Sequence, residues 1–306
     1  MQHSQQTIDG VVVVHRFDGV DSRTDTARPK PAELVIEIPH GATQTRHFEA
    51  LRARLVGPFP DDLVDFFHVN TDVGAPEVGL RLAALYVQHN PGHSVEVLVC
   101  QIPRTFIDTN RVVDDTTRPS TSTATGMTPG VVRYVQQESD LALLIGLTKQ
   151  YQQACEAALS PTLSAGGRAI MLHTYAPRSV DVVVDEQIVQ RLHEAYAPAQ
   201  VEQWPLRPAI DVITTTPEGA QFADPAWIAR LQQAASDEQL TMAVSGTYGL
   251  HPSTAAYAWA TRFIGQTLCV ELRRDLVVEE FTPFAEMRTS DVAAERFAAL
   301  LLRSLG

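Results

Sequence analysis

Leu34-Val35-Ile36-Glu37-Ile38-Pro39-His40-Gly41 is a short apolar run that ends abruptly on a proline, a histidine and a glycine. Branched aliphatic residues favour a buried strand, and proline stops it where the polar groups begin. Two later segments have the same form: Ala169–Leu172 runs into His173, and Leu268–Val270 runs into Glu271. In open α/β sheets the ligand crevice lies beyond the carboxyl ends of the strands. Three distant segments therefore deliver polar side chains to one expected rim.

Working outward, further apolar runs occur at Val11–Val14, Val95–Ile102, Ile210–Ile213 and Thr241–Val244. Between them the 3.6-residue periodicity predicts helices at about 76–90, 134–159, 186–196, 224–236, 254–265 and 290–304. Strands alternating with longer helices point to an α/β fold, a sheet flanked by helices. Asp114–Gly130 (DDTTRPSTSTATGMTPG) is dense in Ser, Thr, Pro and Gly and reads as a long loop, a lid or a connector. With no repeat and no other boundary in the 306 residues, we expect one domain over 1–306.

Composition limits the function. The chain is 44% hydrophobic and 20% charged, as globular proteins are, and carries a formal net charge of -12. A nucleic acid or an anionic membrane would be repelled, so neither is expected as a partner. A small anionic substrate would have to be held by local arginines or a metal. The three cysteines, Cys100, Cys155 and Cys269, lie in apolar stretches without CxxC spacing and read as small core residues. The first ten residues lack a signal-peptide pattern, and no apolar run of about 18 residues occurs, so a soluble, cytoplasmic protein is the expectation. Neither a Gly-x-Ser-x-Gly elbow nor a Gly-x-Gly-x-x-Gly loop is present, which argues against a serine hydrolase and a dinucleotide enzyme.

Of ten histidines, most, such as His3, His15, His89 and His193, sit in polar or terminal surroundings and read as solvent-exposed. His40 and His173 end apolar strands, where a rigid scaffold can present a ligand atom; taken singly, each also reads as an ordinary rim histidine. Asp72, in Asn70-Thr71-Asp72-Val73-Gly74 before a helix that Pro76 can start, reads either as a helix N-cap or as an acidic ligand. A hydrolytic zinc ion takes three protein ligands and leaves a fourth position open, and His40, Asp72 and His173 would supply such a set. Pro103–Arg111 (PRTFIDTNR) is the densest polar cluster after a strand. Arg104, Arg111 and Asn110 suit bidentate carboxylate binding, with Asp108 able to hold a guanidinium; a surface Arg–Asp pairing explains the pattern equally well. Glu271, between Val270 and Leu272, would be a general base if burial raised its pKa, or an ion-pair partner of Arg273 or Arg274.

Taken together and in this order, these segments resemble the N-formylglutamate amidohydrolase family over about residues 34 to 280. The Pro-His strand end resembles Pro39-His40, the Thr-Asp stretch Thr71-Asp72, and the Arg-x-x-Ile-Asp-x-Asn-Arg motif Arg104–Arg111. The strand ending in His resembles Ala169–His173, the Gly-Tyr segment Ser245-Gly246-Thr247-Tyr248, and the late Glu strand Cys269–Leu272. The resemblance implies a mixed, mostly parallel central sheet flanked by helices, zinc carboxypeptidase-like (phosphorylase/hydrolase-like). It implies zinc on His40, Asp72 and His173, with Glu77 as the other acidic candidate, and Glu271 as general base. It further implies that Arg104 polarises the scissile carbonyl, while Asn110 and Arg111, with Asp108 and Tyr248, bind the substrate. The expected substrate is a small carboxylate-bearing N-formyl or N-acyl amino acid. A peptidase or specialised amidase on a larger substrate, and a non-catalytic carboxylate-binding protein, are the alternatives.

Overall fold

The computed structural model describes residues 1–20, 30–112 and 130–306. All but the last residue of the expected loop at about 114–130 therefore lies outside the described residues. Eight strands form one sheet: β1 Gln2–Ile8, β2 Val12–Asp18, β3 Leu34–Ile38, β4 Ser94–Cys100, β5 Arg168–Tyr175, β6 Ile210–Val212, β7 Met242–Val244 and β8 Thr267–Arg273. Their spatial order is β1-β2-β4-β3-β5-β8-β6-β7. The central β4-β3-β5-β8 block is parallel throughout. β1 and β2 are antiparallel additions at one side, and β6 is antiparallel to β8 at the other. The sheet is mixed and mostly parallel, as the sequence led us to expect.

Nine helices accompany it among the described residues: α1 Thr45–Arg52, α2 Leu63–Asn70, α3 Ala75–His89, α4 Glu138–Ser164, α5 Ile188–Ala195, α6 Pro198–Val201, α7 Pro225–Asp237, α8 Ala255–Arg262 and α9 Asp291–Leu305. Alternate residues of the parallel strands feed two cores. Ile36, Ile38, Ile170, Leu172, Val270 and Leu272 pack with α3, α7 and α9. Val35, Ala169 and Met171 pack with α1, α2, α4, α5 and α8 on the opposite face. Each fully buried aliphatic side chain contributes about 1.5–3 kcal/mol, which makes a one-residue slip of register very costly. Strand faces are thereby fixed, and so is the face on which each polar residue emerges.

Some elements differ from the reading of the sequence. β1 is entirely exposed and has no apolar face; its pairing with β2 follows from the Asp9-Gly10 turn, closed by Val11 N–H donating to Ile8 O at 2.9 Å, with Gly10 at φ +63°. α1 and α2 were not expected from the sequence. α4 runs to Ser164, through Pro161, beyond the expected end near 159. Proline forfeits one i−4 hydrogen bond, which the long buried helix tolerates in its last turn. The three cysteines are free; Cys100 and Cys155 are buried, and Cys269 is half-buried. His3 and His89 are exposed as expected, His15 is half-buried, and His193 is exposed yet bonded to Asp65 at 2.8 Å.

Candidate active site

The rim forms on the α4 face of the sheet. His173 of β5 pairs in register with Glu271 of β8, which pairs with Asp211 of β6, so the three residues share one face. His40 follows β3 directly. The chain turns there at Gly41, where an added Cβ would lie 2.6 Å from Val99 Cγ1, so a side chain would push the histidine off the strand end. The Thr71-Asp72 loop is fastened to this turn by Thr71 Oγ1 donating to Ala42 O at 2.7 Å and by Asp72 N–H donating to His40 O at 3.3 Å. Asp72 is not a helix cap: Gly74, at φ +93°, holds the N-cap position of α3 without a side-chain bond. Its carboxylate is free to face the histidines.

His40 Nδ1 lies 3.2 Å and His173 Nδ1 3.0 Å from the same oxygen, Asp72 Oδ2. The three ligand atoms lie within 4.8 Å of one another, and all three residues are buried. Glu77 is not in this cluster; its carboxylate accepts from the Thr289 hydroxyl at 3.0 Å. Burial opposes the charge of Asp72, but the two imidazoles outweigh it and hold its pKa well below the usual carboxylate range. Burial likewise opposes protonation of His173, and the hydrogen bond to Asp72 raises its pKa well above the ordinary value.

The donor set fits a divalent cation. His40 Nε2 is 2.8 Å from Asp108 Oδ1, a carboxylate that can only accept, so Nε2 carries the proton and the Nδ1 lone pair faces Asp72. Two acceptors at 3.2 Å require a proton or a metal between them. Ligand atoms around tetrahedral zinc stand about 3.3 Å apart, close to the 3.2 Å and 3.0 Å that separate the two imidazole nitrogens from Asp72 Oδ2. A carboxylate behind the imidazole is also the usual way a metal-binding histidine is oriented.

Asp108 organises the rest of the Arg104–Arg111 segment. It is fully buried and does not line the cavity, although the sequence placed it among the substrate-binding residues. Oδ1 accepts from His40 and from Asn110 N–H at 2.9 Å; Oδ2 accepts from Arg104 Nε at 3.1 Å and lies 3.6 Å from an Arg111 nitrogen. Burial works against its ionisation, yet Arg104 and Arg111 drive its pKa well below normal. Arg104 thus spends Nε on Asp108, and its two terminal nitrogens have no partner among the described residues. Asn110 and Arg111 are tied to the start of α8: Ala255 N–H donates to Asn110 O at 3.1 Å, and Arg111 bridges Thr254.

His40, Asp72, Arg104, Asn110, Arg111, His173, Tyr248 and Glu271 all line one cavity of about 370 Å3. That volume suits a small molecule, for which sites of about 300–1,000 Å3 are usual. Glu271 Oε2 is buried without a hydrogen-bond partner, as is His173 Nε2. Burial lifts the Glu271 pKa above its ordinary value; Asp72 pushes the same way, while His173, Arg207 and Arg104 restrain the rise. Three further cations line the cavity, Arg178, Arg207 and Arg274, none of which the sequence assigns to the site. Arg207 donates to the Tyr248 hydroxyl at 2.6 Å and stacks on the Tyr175 and Tyr248 rings. Arg274 is buried behind Asp72, 4.0 Å from Oδ1, and donates to Val69 O at 2.8 Å. Arg207 is remote in sequence from the motifs, and Arg274, close to Glu271 in sequence, reads there only as its ion-pair partner, so tertiary structure is needed to reveal the place of each. Tyr248 itself is carried on a turn in which Ser245 adopts φ +50° and Asp211 accepts from Gly246 and Thr247 N–H.

No protein-family model matches the sequence, and no curated protein is similar to it. Solved structures are similar in fold. N-formylglutamate amidohydrolase from Ralstonia eutropha JMP134 aligns with a TM-score of 0.52 at 16% identity over 96% of both chains. Gene product Atu2144 from Agrobacterium tumefaciens aligns with a TM-score of 0.50 at 13% identity, over 96% of this chain and 94% of that one. The likeness in fold extends over nearly the whole length of each chain. The chain has the N-formylglutamate amidohydrolase fold.

Proposed function

We propose that this chain is a zinc-dependent amidohydrolase, one domain over residues 1–306, which cleaves the N-formyl or N-acyl amide of a small carboxylate-bearing amino acid. The observation that carries the reading is the convergence in one cavity of three buried ligand atoms, an unpartnered Glu271 oxygen and the free guanidinium nitrogens of Arg104. The shared fold with an N-formylglutamate amidohydrolase supports the substrate class.

His40, Asp72 and His173 would hold the metal. Zinc bound there supplies Lewis acidity, which acidifies water and polarises a carbonyl. Glu271 Oε2 takes a proton from the attacking water as the carbon–oxygen bond forms, and later gives it to the departing nitrogen as the carbon–nitrogen bond breaks. Its raised pKa makes it a stronger proton acceptor than an exposed glutamate. Arg104 donates its terminal N–H groups to the oxygen on which negative charge grows. Asn110 and Arg111 hold the substrate carboxylate, which fixes the distance from that anchor to the scissile bond. The products are a carboxylate and a free amine.

Metal analysis of the purified chain should find one zinc per chain, and hydrolysis of N-formyl amino acids should stop on chelation and return with zinc. Equal activity in the metal-free protein would overturn the reading.

A further inference from the structure

The cavity has a second wall that the chemistry above does not use. Phe66 and Val69 of α2, Ile188 and Leu192 of α5, and Val182 and Val184 of the connecting segment all line it. Ser179-Val180-Asp181-Val182-Val183-Val184-Asp185 follows β5 and belongs to no strand, yet it holds four valines. Val182 and Val184 are half-buried against the core, and Val183 is 42% exposed. Exposed apolar surface that is continuous with a reaction cavity marks a place for an apolar ligand group.

The charges around this wall agree. Asp181 is exposed on the same segment and lines the cavity, so a carboxylate substituent passing it would be repelled. Arg178 could offset that charge, but it is already engaged by the Glu202 carboxylate and by Trp204 O at 2.8 Å. Arg207 also lines the cavity, but its faces are covered by Tyr175 and Tyr248 and it donates to Ser179, Ala176 and Tyr248. The wall itself is held firmly. His193 of α5 bonds Asp65 of α2 at 2.8 Å, and Arg274 fastens the end of α2 through Val69 O.

Resting on the amidohydrolase reading, we infer that the preferred substrates carry an apolar substituent of several carbons that seats on this wall, in place of a second carboxylate. The substituent is either the side chain of the amino acid or its acyl group, and both present the same chemistry to the valines. Each buried methylene contributes about a fourfold gain in binding. Three or four methylenes should therefore raise kcat/KM by 10-fold or more.

The test uses the zinc-loaded full-length chain. One arm compares N-formyl-leucine and N-formyl-norleucine with N-formylglutamate; the other compares glycine bearing formyl, butanoyl and hexanoyl groups. A preference of 10-fold or more for the apolar member of either arm, reduced several-fold in Val184→Thr, is expected, and the arm that responds identifies the substituent. Preference for glutamate, or no dependence on chain length in either arm, overturns the inference and leaves the amidohydrolase reading standing. Calorimetric binding of the same compounds to Glu271→Gln separates the two readings further. Tighter binding of the apolar members without turnover by the parent chain would support the wall and sink the hydrolase.

Discussion

The two walls of the cavity are built in opposite ways. On one side, His40, Asp72, His173 and Glu271 stand at or beside the ends of parallel strands, and each is held by partners far away in sequence. On the other, Val182 and Val184 sit on an irregular segment between β5 and α5 and touch the core only by apolar contact. Positional accuracy costs long-range hydrogen bonds and ion pairs, which converge on the reacting groups of the first wall; on the second they fasten the helices and leave Val182 and Val184 to apolar packing. A site can thus keep reacting groups within a few tenths of an ångström while leaving the recognition surface adaptable.

Substitutions should expose that asymmetry, beginning on the polar wall. Glu271→Gln keeps the shape and removes the proton acceptor, so kcat for N-acyl amino acid hydrolysis should fall by about 10²–10⁴-fold with zinc content unchanged by elemental analysis. Retained turnover would move the base elsewhere. Arg104→Ala removes donors to the developing oxyanion, and a loss of about 10²–10³ in kcat is expected, with a much smaller change in substrate affinity; a pure KM effect would reassign Arg104 to substrate binding. Asp108→Asn leaves the ligand set intact but loosens His40, and zinc affinity measured by chelator competition should weaken by about 10–100-fold.

A smaller effect concerns pH in the metal-free protein. Asp108 has its folded pKa pulled well below the ordinary value, so its ionised form stabilises the fold. That contribution is complete above the unfolded value of about 3.9 and is lost as pH falls through the folded pKa. The melting temperature of Asp108→Asn should lie a few degrees below the parent at pH 7, and the gap should narrow steadily below about pH 4. A constant gap from pH 7 to 3 would show that the carboxylate's charge does not matter to stability.

Legibility in the sequence follows the same division. His40, His173 and Glu271 were readable because apolar β runs meet polar residues there; register places His173 and Glu271 on one face, and the turn after β3 brings His40 beside His173. Asp72 could be read only as a loop residue before α3; its choice over Glu77 as the carboxylate beside the histidines comes from the fastening of its loop to Ala42. The partnership of Asp108 with His40 was not legible, since 68 residues separate them and the nearer arginines already explained the acid. Arg207 and the 180–184 segment carry no periodicity or motif and gain meaning only from what folds against them, while Arg274, legible only as an ion-pair partner of Glu271, stands behind Asp72. β1 was hidden for another reason: backbone pairing, with no apolar face, makes it a strand.

Asp108 has one more consequence, in the time domain. Its two oxygens hold the His40 ring and both guanidinium groups at once, at zero exposure. A rotation of that carboxylate would break bonds on both sides together, so fluctuations of the imidazole and of Arg104 and Arg111 are forced to be in phase. Val182 and Val184 make no bond to Asp108, so a shift of the valine segment to fit a differently shaped substituent need not disturb the alignment of His40, Arg104 and Arg111.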